Sequence, residues 1–221
     1  MTRVTAGAFP PSCEHRIAGW ALLWADLEPA STDEPALAAL CASVTASVRA
    51  RHTLETLSSD PTVSGIRKLF RAAGTDPTRY RPSNEALLRR LVKGEEMPRI
   101  SPIVDLNNCL SAELAVPVCV MDVRHLAPPF VFRAGAPDEA YESLRGPFGL
   151  EGKPLLIDAL GPADTPITGG VRVKVRDDSD RVWLVAYMPR GTGVEERAAA
   201  TLESFLSRAP IATLRAWGIT T

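Results

Sequence analysis

Apolar side chains in the first hundred residues recur at intervals of three and four, a spacing that places them on one face of a helix. The pattern predicts three helices. An apolar segment precedes them, and we expect it to be a strand because helix-start signals follow it. In chain order these elements are the strand 15–27 and the helices 36 to about 57, about 61 to 74 and 83–94.

Particular residues suit the ends of the predicted helices. Gly74 can adopt the left-handed conformation that closes many helices, and Ser83 is the predicted N-cap of the third helix. Near the end of the chain, Thr192 and Glu195 have the spacing of a capping box. This motif predicts a final helix after residue 193.

Beyond Pro98 the apolar residues occur in short runs separated by proline and glycine, which is typical of strands. The run 182–188 is apolar at every position, so we expect it to be a central strand covered on both faces. Helices first, strands second and a closing helix indicate an α+β fold. The predicted strands are 103–106, 116–121, 130–133, 155–157, 171–175 and 182–188.

The net charge of −1 gives no general signal for nucleic-acid binding, but the charges are unevenly placed. Residues 61–100 contain nine basic and four acidic side chains, whereas residues 101–170 contain nine acidic and four basic ones. A basic segment is therefore followed by an acidic one, and cations for a polyanionic partner would come from the first.

Several classes of site are excluded by spacing. The four cysteines form no CxxC pair and have no histidine cluster nearby, so we expect reduced thiols and neither a metal nor a cofactor. Nucleotide-binding glycine loops, the GxSxG elbow and HExxH are missing. Residues 1–16 lack the pattern of a signal peptide, and no apolar run is long enough to span a bilayer. These features predict a cytoplasmic protein without membrane contact.

Six segments, in the same order and with similar gaps, resemble the B3/B4 module of the bacterial phenylalanyl-tRNA synthetase β subunit and its stand-alone relatives. The resemblance implies an α+β fold with a mixed, mostly antiparallel sheet and a barrel-like core flanked by helices. It also implies one B3/B4-like domain over residues 1–221, with a core of about 60–190 and a strand–helix extension over 1–59. The matching segments are 81–90, 103–108, 116–122, 130–134, 156–158 and 168–170.

In the synthetase this module accepts a mis-attached amino acid and directs water to the ester that links it to tRNA. The resemblance therefore implies a small amino-acid-like ligand and tRNA or aminoacyl-tRNA as partners. The pocket positions fall on Asn107, Asn108, Cys119, Gly169 and Gly170. For contacts with RNA we expect the basic side chains of the third helix and its approach, namely Arg81, Arg89, Arg90 and Lys93.

The chain departs from the synthetase pattern at two positions. Cys119 stands where the module has a histidine, and Pro102 stands where it has an arginine. A thiol rarely carries protons near neutral pH, so no catalytic residue is assigned. Three functions stay open: a trans-acting, editing-like hydrolase of mischarged aminoacyl-tRNA, a non-catalytic pocket for an amino acid, nucleoside or tRNA end, and an interaction domain with a closed pocket. The sequence does not define the amino acid or the oligomeric state.

Overall fold

Two four-stranded sheets face each other in the computed structural model, which describes residues 9–221. A separate two-stranded hairpin lies beside them. The strands are β1 (Cys13–His15), β2 (Trp20–Pro29), β3 (Val118–Asp122), β4 (Phe130–Ala134), β5 (Ala140–Ser143), β6 (Gly146–Gly149), β7 (Pro154–Asp158), β8 (Gly161–Asp164), β9 (Val182–Pro189) and β10 (Ala212–Thr220). The helices are α1 (Glu34–Arg51), α2 (Pro61–Ala73), α3 (Ser83–Val92), α4 (Pro102–Leu114) and α5 (Val194–Arg208).

The first sheet has the order β10-β2-β9-β3 and is antiparallel throughout. The second has the order β1-β4-β7-β8, in which only the pair β1–β4 is parallel. The α+β class and the mixed, mostly antiparallel pairing are thus confirmed. Both sheets are open, and the described residues form no closed barrel: they stack face to face, and β10, β3, β1 and β8 remain edge strands.

The alternation of side chains along β2 divides the core into two layers. Ala21, Leu23 and Ala25 point toward the helices, whereas Trp20, Leu22 and Trp24 point toward the second sheet. α1, α3, α4 and α5 cover the first layer, and α2 contributes to the second. All eight residues of β9 are buried, which confirms the prediction that this strand is central.

Two predicted strands are wrong. Residues 103–106 lie in α4, because their apolar positions continue at helical spacing through Leu106 and Leu110 beyond a polar interruption at 107–108. Asp105 therefore lies in the first turn of α4, where it accepts hydrogen bonds from Ile100 N–H and Arg99. Residues 171–175 form no strand, and only Lys174 makes an isolated bridge, to Met121. The strand β10 was not predicted.

Helix ends follow the sequence signals in part. Gly74 is the predicted left-handed cap, with φ of 100°. α1 ends at Arg51, earlier than expected. Ser83 is the first residue of α3 instead of its N-cap. The capping box is also wrong: Glu195 accepts from Gly191 N–H at 2.7 Å, and the Thr192 hydroxyl donates to a carbonyl outside the helix.

None of the helices in the range 9–221 is long and apolar enough to cross a membrane. Residues 1–8, part of the segment considered for a leader peptide, lie outside the described residues.

Candidate functional site

A polar cluster lies between the two sheets at the edge formed by β3. Cys119 on β3 pairs in register with Val185 on β9, and Tyr187 lies two residues further along β9 on the same face. The side chains of Cys119 and Tyr187 therefore project toward the second sheet. The second sheet contributes Asp164, the last residue of β8. We call Cys119, Asp164, Tyr187 and Gly169 the inter-sheet cluster.

Asp164 is completely buried, and its two carboxylate oxygens have different surroundings. The Tyr187 hydroxyl donates a hydrogen bond to Oδ2 at 2.6 Å. Oδ1 is also buried and receives no hydrogen bond of standard geometry from the described residues, although the Cys119 thiol and the Thr165 N–H lie close to the carboxyl group. Burial raises the pKa of Asp164 to about 7, against the opposing effects of the Tyr187 hydroxyl, the Cys119 thiol and the Thr165 N–H. Near neutral pH this carboxyl can therefore both accept and release a proton.

Cys119 is partly accessible, and its thiol lies beside Asp164. Loss of hydration and the neighbouring carboxyl raise the pKa of this thiol well above its ordinary value. A thiol of this kind stays protonated at neutral pH, so it serves neither as a nucleophile nor as a base. The side chain of Cys119, which the resemblance matches to a histidine of the synthetase module, is therefore uncharged at neutral pH.

The glycines at 169 and 170 bring backbone close to the cluster. A Cβ atom at Gly169 would lie 3.6 Å from Asp164 Oδ1, 3.9 Å from Cys119 Sγ and 3.3 Å from a Leu144 methyl carbon. A Cβ atom at Gly170 would collide with the Ala163 carbonyl oxygen. Gly170 is therefore required by close packing, whereas a Cβ at Gly169 would be in tight contact with Leu144 and in ordinary contact with Asp164 Oδ1 and Cys119 Sγ.

The hairpin β5–β6 borders this space. Leu144 at its tip donates a backbone hydrogen bond to the Gly169 carbonyl at 3.0 Å, and its side chain is 54% exposed. Tyr141 on β5 donates its hydroxyl to the Thr168 carbonyl. These contacts attach the hairpin to the segment 165–170, so the Leu144 side chain lies between the cluster and solvent.

Asn107 and Asn108 lie on α4, which packs against the helix-covered face of the first sheet. Asn107 is largely buried; its Nδ2 lies 3.4 Å from Asn108 Oδ1, and its own Oδ1 has no partner among the described residues. No hydrogen bond in the described chain links either asparagine to the inter-sheet cluster. The structure thus brings Cys119, Gly169 and Gly170 together and leaves the two asparagines on another element.

The four basic side chains do not gather at one place. Arg81 precedes α3, whose first N–H, at Ser83, donates to the Pro166 carbonyl at 3.0 Å, so Arg81 lies near the segment 165–170. Arg90 lies about 10 Å beyond Ser83 along the helix axis and pairs with Glu95 at 2.8 Å. Arg81 itself is 3.7 Å from Glu85. Arg89, which is half-buried, and exposed Lys93 are at the same end as Arg90.

Metal ligation has no support in residues 9–221, where no three histidine, cysteine, aspartate or glutamate side chains form a suitable group. The side chains that sequence patterns did not single out are Asp164, Tyr187 and Tyr141. A faint signal existed for Tyr187, the single hydroxyl in an otherwise apolar strand.

A sequence model described as the B3/4 domain matches residues 65–204. The chain belongs to the B3/4 domain family. The segment matched includes α3, α4, β3 and the inter-sheet cluster, and the family resemblance stated from the motifs is confirmed.

A search of solved structures found similarity between this B3/4 domain chain and the crystal structure of an N-terminal fragment of the phenylalanyl-tRNA synthetase β-subunit from Pyrococcus horikoshii. The sequences are 15% identical and the TM-score is 0.46. The alignment covers 95% of this chain and 50% of the fragment, so the chain spans about half of the fragment's length. A comparison with curated proteins gave no match.

Proposed function

We propose that this B3/4 domain chain hydrolyses the ester of a mischarged aminoacyl-tRNA at the inter-sheet cluster. One observation carries the proposal. Two of the five pocket positions implied by the resemblance, Cys119 and Gly169, lie beside a buried carboxyl group, Asp164, one oxygen of which has no hydrogen bond of standard geometry from the described residues. A buried acid whose pKa is raised is a candidate functional group.

The state of Cys119 defines the reaction class. Because its thiol remains protonated at neutral pH, a covalent thioester intermediate is not part of the proposal. Water attacks the acyl carbon directly, next to Asp164 Oδ1 and the Gly169 backbone, with the exposed Leu144 side chain on the solvent side. Aminoacyl esters are activated, so positioning of the ester and of one water molecule supplies much of the rate.

The test uses the full chain and a panel of tRNAs, each esterified with a different labelled amino acid. We expect release of label above the buffer rate for at least one mischarged species. The Gly169→Ala variant should reduce release, because the added Cβ would lie 3.6 Å from Asp164 Oδ1 and press on Leu144 at 3.3 Å, where the proposed water and ester bind. Gly149→Ala is the matched control, since a Cβ there meets nothing within 4 Å. Release no faster than buffer across the whole panel would refute the proposal.

A second candidate function is a pocket that binds an amino acid, a nucleoside or the end of a tRNA without hydrolysis. The neutral thiol at Cys119, in place of a proton-carrying histidine, favours it. Separation of Arg81 from Arg90 also argues against an extended basic surface for tRNA. Calorimetric titration with these three ligand classes tests it: binding without any release from the tRNA panel would support this function over the first.

A further inference from the structure

We infer that Asp164 is the general base that activates water at this site and that Tyr187 is the residue that positions it. The inference deepens the proposed function and rests on it. Neither residue is assigned by the resemblance, and both lie within the segment matched by the B3/4 domain. Its starting point is the unequal bonding of the two Asp164 oxygens.

The two carboxylate oxygens of Asp164 are placed for different roles: Oδ2 orients the carboxyl group, and Oδ1 can accept a proton. Tyr187 lies on β9, a strand buried on both faces, and its hydroxyl donates a hydrogen bond to Oδ2 at 2.6 Å. This hydrogen bond holds the carboxyl plane in one orientation. Oδ1 then faces Gly169, at 3.6 Å from the position of a Cβ there, beside the Cys119 thiol and the exposed Leu144 side chain. A buried acceptor without a partner is costly unless a ligand or water satisfies it. A water molecule bound at Oδ1 would satisfy this acceptor and would also be the water that Asp164 activates.

The electrostatic surroundings keep this carboxyl suitable for proton transfer. Besides burial, the titratable groups that act on Asp164 are Tyr187 and Cys119, with Tyr141 close to the same group, and all three are neutral near pH 7. No described cation donates to it. Burial therefore raises the pKa of Asp164 to about 7, close to the value at which a base is most effective.

The histidines do not compete for this role. His15 lies 3.0 Å from the Thr220 hydroxyl, and His52 lies 4.0 Å from Asp60. His125 contacts Arg176 at 3.1 Å. The chain has three histidines, so each has its contact outside the inter-sheet cluster. Asp164 is then the group in the cluster with both a free oxygen and a suitable pKa.

The reaction step balances without any co-reactant besides water. Oδ1 of ionised Asp164 takes a proton from water while the water oxygen forms a bond to the acyl carbon. The resulting tetrahedral intermediate collapses, and the bond between the acyl carbon and the ribose oxygen breaks. Asp164 returns the proton to that ribose oxygen. The products are the free amino acid and the tRNA with its hydroxyl restored.

The experiment compares wild type, Asp164→Asn and Tyr187→Phe on the mischarged tRNA that the panel identifies, with kcat and KM measured across pH. The Asp164→Asn change keeps the shape and the acceptor for Tyr187, and we expect kcat to fall about 100- to 10,000-fold with little change in KM. Tyr187→Phe removes a hydrogen bond that stabilises the carboxylate. Its rate should fall less, and the pH at which activity rises should increase, which a purely structural role would not cause.

The outcomes separate the two proposals. An inactive wild type refutes the proposed function, and the role of Asp164 with it. An active wild type with unchanged kcat and pH profile in Asp164→Asn refutes the inference alone. A rise in KM without a loss in kcat also overturns it, because Asp164 would then bind the substrate's ammonium group instead of activating water. Circular dichroism on each variant confirms that it is folded.

Discussion

Asp164 should make the stability of the protein depend on pH in an unusual direction. Its pKa is raised from 3.8 to about 7 in the folded chain, so the folded state binds a proton that the unfolded state releases between these two values. The stabilising contribution of the neutral carboxyl is complete below pH 3.8 and is lost as pH rises through about 7. Most buried acids with cationic partners behave in the opposite way.

The magnitude follows from the pKa difference. One pKa unit corresponds to about 1.4 kcal/mol, so ionising Asp164 costs the folded state on the order of 4 kcal/mol at pH 8 relative to pH 4. The side chain is fully buried, so solvent screening does not reduce this value appreciably. The Asp164→Asn variant has no charge at this position at any pH, and its amide oxygen can still accept from Tyr187.

Urea unfolding of wild type and Asp164→Asn at several pH values from 4 to 8 isolates this effect, because the other titrating groups are common to both proteins. We expect the free energies of unfolding to be similar at pH 4. By pH 8 the variant should be more stable by on the order of 4 kcal/mol. A difference that stays constant with pH, or that grows in favour of wild type as pH rises, would refute the reasoning about Asp164.

Three further predictions concern the site. Gly169→Ala should lower kcat/KM on the order of 100-fold while Gly149→Ala leaves it unchanged, as measured by amino-acid release, because a Cβ at 169 displaces the attacking water. Cys119→Ala should keep the rate within about threefold, since a protonated thiol supplies no nucleophile; loss of activity would contradict this. Arg81→Ala should raise KM for tRNA substrates, with little effect on a small aminoacyl ester. It should also lower by about one the slope of the logarithm of the tRNA-binding constant against the logarithm of the salt concentration. Arg90→Ala serves as the distant control, because Arg90 is paired with Glu95.

Features with a local physical cause could be predicted from the sequence. Gly74 closes α2 because glycine tolerates a positive φ, and β9 is central because eight consecutive residues suit burial on both faces. The interpretation was wrong where a polar pair interrupts a pattern. Asn107 and Asn108 divide the apolar positions of α4, so its first turn has the appearance of a short strand.

The site could be predicted only in part, because its chemistry arises from residues far apart in the chain. Asp164 follows Gly161 and Pro162, and locally it has the composition of a polar turn. Its raised pKa depends on burial between β3, β5 and β9, which no sequence window contains. The resemblance pointed to Asn107, Asn108, Cys119, Gly169 and Gly170 because these positions lie in recognisable motifs.

The neutral residue at position 119 and the acid at position 164 are physically linked. A histidine beside Asp164 would be charged over part of the neutral range, and a cation so close to a buried carboxyl would lower the pKa of that carboxyl. Asp164 would then hold its negative charge tightly and be a weaker base. With a protonated thiol at Cys119, burial acts unopposed by any cation, and the pKa of Asp164 stays near 7. Replacement of the synthetase histidine by cysteine is therefore compatible with hydrolysis, provided that the proton is carried by the carboxyl group of the opposite sheet.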